Sequence, residues 1–150
     1  MTIDGYITRK LTGVSALHHS GAGFYGPAYN LRQRCYQADL LEAIGIPPAL
    51  MPTLYDSTDL VGEVTAQAAA ETGLAAGTPV AAGQVDCNAG WVGAGAIAPG
   101  AIQSNLGSVG NFGVVHDRLD FIYSPVGRVM INVPYTVDSA HTYVTIPTTM

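Results

Sequence analysis

Apolar positions along this chain come in short bursts, each closed by glycine or proline. Ile3 to Leu11 carries the pattern of a helix end, with Thr12-Gly13 as its stop. His18 to Asn30 keeps no period, and its Gly, Ser, Tyr and Pro content predicts a loop or irregular strand. Tyr36 to Ile44 reads as a short helix with Leu40, Leu41 and Ile44 on one face, ended by Gly45 and Pro47-Pro48. Thr65 suits the N-cap of a helix from Ala66 to Thr72, because its hydroxyl can take a free amide of the first turn; Gly73 ends that helix.

Pro79 to Ala82 is short and uniformly apolar, which predicts a buried strand, and Ala89 to Gly95 predicts a helix whose glycines allow close approach. Pro99-Gly100 marks a turn. Ile102 to Leu106 and Asn111 to Val115 read as strands of a hairpin around Gly107 to Gly110. Val129 to Val133 and Tyr143 to Ile146 are further strands, with turns at Asp117 to Asp120 and Asp138 to His141. Near Ala98 the composition changes from alanine-rich helices to strands rich in Val, Ile, Thr and Tyr.

At 150 residues the chain is long enough to bury a core, yet only 11% of it is charged and 48% is apolar. That surface is lean for a free-standing domain and fits a segment packed against more chain. A net charge of -5 with six scattered basic residues excludes a nucleic-acid partner. No run of eighteen apolar residues and no signal-peptide pattern occurs, so no membrane partner and a cytoplasmic location are expected. Cys35 and Cys87 lie far apart and outside any Cys-x-x-Cys pair, which predicts free thiols.

Gly83-Gln84-Val85-Asp86 ends an apolar strand on a single carboxylate, and Gly107-Ser108-Val109-Gly110 follows the next strand as a glycine-punctuated turn. Phosphoryl transfer to a hydroxyl requires both parts, a carboxylate to accept the proton and a turn whose free amides approach phosphate. On the residues alone, the commoner readings are a structural Asp86 that caps the helix near Ala89 and an ordinary hairpin tip at the turn. Trp91 suits a sugar-stacking face or, more commonly, a core position. His18-His19 lack a third ligand for a metal and read as surface or packing residues.

The succession Leu40 to Pro47, Leu50-Met51-Pro52, Val61 to Thr65, Ala68 to Leu74 and Gly77 to Val80, leading to Gly83-x-x-Asp86, resembles the FGGY family of carbohydrate kinases. Asp4-Gly5-Tyr6-Ile7 with Leu11-Thr12-Gly13 is similar to a helix of that family and its Leu-Thr-Gly ending. The resemblance is clear from about Leu40 to about Gly113 and implies an α/β, actin-like ATPase (ribonuclease H-like) fold, present in part. Residues 1–98 would then be the end of the first domain and 99–150 the start of the second, with a cleft between Asp86 and Ser108.

The same resemblance implies transfer of the γ-phosphoryl of ATP, carried with Mg²⁺, to a hydroxyl of a pentulose such as xylulose, or of a polyol. Asp86 would be the general base, Gln84, Cys87 and Asn88 would flank it at the sugar, and Gly107, Ser108 and Gly110 would face the nucleotide. Cys87 stands where the family often has Gln or Asn, and Ser108-Val109 replaces a Thr-Ser pair. The family's Asp-x-Gly-Thr phosphate loop has no counterpart in these residues, so the segment alone is not expected to turn over ATP. The resemblance also allows a homodimer of the complete protein, since family members form dimers and tetramers, although no residue here marks an interface. A non-catalytic reading stays open, a truncated actin-like piece that holds a sugar or a partner.

Overall fold

The computed structural model describes residues 2–106 and 110–147. Helix α1 (Ile3–Thr12) starts at Thr2, whose hydroxyl accepts the Gly5 N–H, and stops at Gly13, which takes the left-handed conformation (φ 80). Strand β1 (Ala16–His18) follows, then α2 (His19–Ala22), a 3₁₀ stretch over Gly23–Ala28, and the hairpin of β2 (Tyr29–Asn30) and β3 (Cys35–Tyr36). The segment expected to be a loop or irregular strand thus begins and ends in strand and carries two short helical turns between. A span of four to six residues is too short to show a helical period in sequence.

Helix α3 covers Ala38–Ala43, shorter at both ends than expected: Tyr36 pairs with Tyr29 across the hairpin, and Ile44 leaves the helical conformation as the C-cap. Of the three residues expected on its packed face, Leu41 is buried, Leu40 is half-buried and Ile44 is 60% exposed. Strand β4 (Thr53–Tyr55) pairs in parallel with β1, joining Leu17 to Leu54 and His18 to Tyr55. Strand β5 (Leu60–Glu63), α4 (Ala66–Thr72) and β6 (Pro79–Ala81) come next. Thr65 caps α4 by accepting the Ala68 N–H at 3.1 Å, and Gly73 closes it at φ 77.

β6 is not the buried strand its apolar run suggested. Among the described residues it pairs only with β5, turns Val80 toward Ala16, Val61 and Ala82, and leaves Pro79 and Ala81 exposed. Small apolar residues on the outer face hid the period-two pattern of a strand covered on one side.

Helix α5 runs over Asp86–Gly93, three residues ahead of the expected start. Strands β7 (Ile102–Leu106) and β8 (Gly110–His116) form an antiparallel hairpin, helix α6 (Leu119–Ile122) occupies the expected turn, and β9 (Ile131–Pro134) and β10 (Tyr143–Ile146) complete a four-stranded antiparallel sheet ordered β7-β8-β10-β9. β9 begins two residues later than expected, since Gly127–Val129 is a 3₁₀ turn. Trp91, Ala96, Val115, Val133, Tyr135, Val144 and Ile146 form one buried cluster, so α5 is packed into the sheet that follows it. Two smaller clusters, around Ala16 and around Leu17, hold the earlier strands. No helix among the described residues is long and apolar enough to cross a membrane.

Candidate functional site

Asp86 is the first residue of α5, where the free amides and dipole of a helix start favour a carboxylate. Its Oδ1 accepts the Cys87 N–H at 2.7 Å. Among the described residues no hydrogen bond engages Oδ2, and the side chain is exposed. The N-cap of α5 is Val85, which has no side chain able to cap, so the helix start is not held locally. The Val85 N–H instead donates across 65 positions of sequence to Ser20 Oγ, at 3.4 Å.

Two adjoining clefts share Asp86, Cys87 and Asn105. The larger, about 1030 Å³, has Asp4, His18, Gln84 and Asn111 on polar positions and Ile3, Ile7, Phe24, Ile131 and Ile146 on apolar ones. The smaller, about 340 Å³, runs along α5 between Gly90, Trp91 and Ala94 on one side and Gln103, Ser104 and Asn105 on the other. Asn105 and Asn111 are direct partners across the β7–β8 hairpin, so this hairpin stands over the start of α5.

The sequence-predicted residues divide accordingly. Asp86, Cys87 and Gln84 are brought together at the larger cleft. Burial, with the Asp86 charge beside it, pushes the Cys87 thiol up from its ordinary value, so it stays protonated and serves as a weak hydrogen-bonding group rather than a nucleophile. Asn88 is fully buried and lines neither cleft; Cys87 Sγ reaches its Oδ1 at 3.9 Å. Gly110 is half-buried at the start of β8, paired with Leu106. Gly107 and Ser108 lie outside the described residues. Trp91 is a core residue, 3% exposed, with its ring against Gly113, where an added Cβ would fall 2.3 Å from the ring.

His18 and His19 are both buried, so the surface alternative for them is corrected and the packing one stands. His19 Nδ1 pairs with the Tyr29 hydroxyl at 2.7 Å. His18 sits between Asp4 Oδ2, 2.6 Å from its Nε2, and Ser20 Oγ and the Gly21 N–H, each 2.8 Å from its Nδ1. Burial holds His18 below its usual range despite the Asp4 carboxylate; burial opposes the charge on Asp4 too, but bonds from Thr2 and His18 outweigh it and keep that carboxyl low. The pair is therefore a neutral imidazole donating to a carboxylate. Sequence reasoning missed Asp4, His18, Asn105 and Asn111 as cleft residues; the one local signal was that His18 continues the apolar Ala16-Leu17 pair, all three being buried in β1.

The N-terminal-domain model of the FGGY family of carbohydrate kinases matches residues 1–93, a stretch that includes Asp86. The chain is 38% identical over 126 residues to an erythritol kinase of Brucella abortus, covering 82% of this chain and 22% of that protein. It is also 38% identical over 98 residues to an autoinducer-2 kinase of Yersinia enterocolitica, covering 65% of this chain and 18% of the relative. Among solved structures, the xylulose kinase from Rhodospirillum rubrum superposes with a TM-score of 0.81 at 28% identity, over 95% of this chain and 28% of that one. The chain thus spans about a fifth of the length of the curated relatives it matches. Its fold is a part of the actin-like ATPase fold of sugar kinases. With the family model covering more than half of the sequence and the strand, carboxylate and helix start falling inside the match, this chain belongs to the FGGY family of carbohydrate kinases.

Proposed function

We propose that these residues form the acceptor side of an ATP-dependent kinase that phosphorylates a hydroxyl of a small polyhydroxylated substrate, a pentulose such as xylulose or a polyol. Asp86 is the general base. A sugar hydroxyl is a poor nucleophile, and a carboxylate within hydrogen-bond reach takes its proton as the bond to the γ-phosphorus forms. The observation that carries this reading is the Asp86 carboxylate itself: one oxygen is held by the helix start, while the other has no partner among the described residues, at the junction of two clefts. Gln84 and Cys87 border the acceptor, with Asn88 supporting Cys87 from beneath. The polyol arm of the reading is favoured by the Brucella relative, named an erythritol kinase.

The nucleotide, with its Mg²⁺, would approach from the β7–β8 side, where Gly107, Ser108 and Gly110 follow β7. We place the domain boundary near residue 98, with 1–98 closing the first domain and 99–150 opening the second, in a complete protein of cytoplasmic location that pairs with itself. In the complete kinase that carries residues 1–150, Asp86→Asn lowers kcat by about 10²-fold or more and changes the acceptor KM little, as loss of a base requires. Full activity of that variant on every pentulose, hexulose and polyol accepted by the wild type would remove Asp86 from the role.

A further inference from the structure

We propose that His18 and Ser20 are positioning residues for Asp86, linked to it by a buried chain of hydrogen bonds that runs from Asp4 through the His18 ring and the Ser20 hydroxyl to the Val85 N–H. The catalytic consequence rests on the reading of Asp86 as the base; the bonds themselves do not.

The direction of each bond follows from its donors. A backbone N–H can only donate, so the Gly21 N–H, 2.8 Å from His18 Nδ1, requires that nitrogen to be unprotonated. The ring proton is then on Nε2 and is donated to Asp4 Oδ2 at 2.6 Å. Ser20 Oγ, also 2.8 Å from Nδ1, donates its hydroxyl proton there and keeps its lone pairs for the Val85 N–H at 3.4 Å. Both inner members are sealed from water, His18 at 2% and Ser20 at 1% exposure. Gly21 permits the approach, since a Cβ there would lie 2.7 Å from the His18 ring. Burial also holds His18 neutral, as the chain of donors requires.

What this network reaches is the one end of α5 with no cap of its own. Val85 is the N-cap, and the next residue, Asp86, bears the carboxylate, which accepts the Cys87 N–H of the same helix turn. Loss of the Ser20 hydroxyl frees the Val85 amide, and the first turn with its carboxylate shifts as a unit. A misplacement of a reacting group by a fraction of an ångström lowers turnover without weakening ground-state binding.

The test uses the complete kinase carrying these residues, labelled with ¹⁵N-histidine and ¹⁵N-valine. Ser20→Ala is expected to lower kcat about tenfold with both KM values within twofold, to shift the Val85 amide resonance, and to leave wild-type His18 reporting a proton on Nε2 alone at pH 7. Thr65→Ala, which removes a helix cap away from both clefts, is the stability control and keeps kcat. A Ser20→Ala kcat within twofold of wild type, or no lower than that of the Thr65 control, overturns the proposal. So does a His18 proton on Nδ1, which is read on the wild type and stands even if Ser20→Ala fails to fold. If Asp86→Asn alone keeps turnover, the base reading fails, while the tautomer and the Val85 shift still decide the bonded chain.

Discussion

Before α5 the strands pair two at a time, β1 with β4, β2 with β3 and β5 with β6, whereas after it β7, β8, β10 and β9 share one sheet. The early region divides its apolar contacts between two small clusters and relies on polar links. The Thr2 and Thr65 caps, the His18 network and the Arg34–Asp56 pair at 2.6 Å are the main ones. The later region packs one continuous cluster beneath its sheet. Helix α5 belongs to both: its N-cap residue, Val85, donates its N–H to Ser20 of the early region, and Trp91, farther along the helix, is sunk in the later one. A helix clamped at one end by a hydrogen bond and at the other by an aromatic ring is a rigid mount for the carboxylate it presents to the clefts.

Removing the aromatic clamp is the strongest way to break this contrast. Trp91→Ala deletes the largest member of the later cluster and is expected to cost about 3–5 kcal/mol in urea unfolding, as for other large-to-small core changes; a loss under about 1 kcal/mol would mean that the cluster does not anchor α5. Gly113→Ala attacks the same contact from the sheet side. Its new methyl would meet the ring at 2.3 Å, and overpacking of that kind costs about 1–3 kcal/mol, visible as a lower Tm and a shifted Trp91 fluorescence maximum. Trp91 is the chain's single tryptophan, so this signal reports the later region alone.

The polar links of the early region carry smaller effects. Thr65→Ala is expected to cost about 1 kcal/mol, since one helix cap is lost at an exposed position and no cavity is left. Acid sharpens the comparison further. Burial lowers His18 and His19 from 6.5, so the unfolded chain binds protons that the folded one refuses, and stability falls as pH drops below about 6.5. Asp4 and Asp56 are lowered from 3.8 by their hydrogen bonds in spite of burial, and they add a second loss as pH falls below that value. In the later region one histidine, His116, is lowered in the same way, against two in the early region, so the early region loses more as pH falls toward 5. Hydrogen exchange read between pH 7 and pH 5 should therefore show α1, α2 and β1 opening ahead of β9 and β10; simultaneous opening would erase the distinction.

Legibility in the sequence divided along the same line. Caps were readable because they are local: Thr65 and Gly73 bracket α4 as expected, and Gly13 ends α1, since each needs only a hydroxyl or a left-handed glycine beside a helical run. Strand β10 occupies Tyr143–Ile146 as read from its β-branched and aromatic residues, and β7 matches Ile102 to Leu106. Burial was less readable. The exposed Ile44 and the half-covered β6 both violate the expectation drawn from their hydrophobicity, because that expectation assumes a neighbour on each apolar face.

Residue types and short-range spacing by themselves determined the stop of α1, both ends of α4, the strands β7 and β10, and the strand-to-carboxylate run at Asp86. Tertiary structure alone decided that His18 is buried against Asp4, that Asn105 and Asn111 line one cleft with Asp86, and that the N-cap of α5 is bonded to Ser20. Those relations join positions up to 65 residues apart, and a hydrogen bond over that distance depends on how the elements pack, which no local pattern encodes.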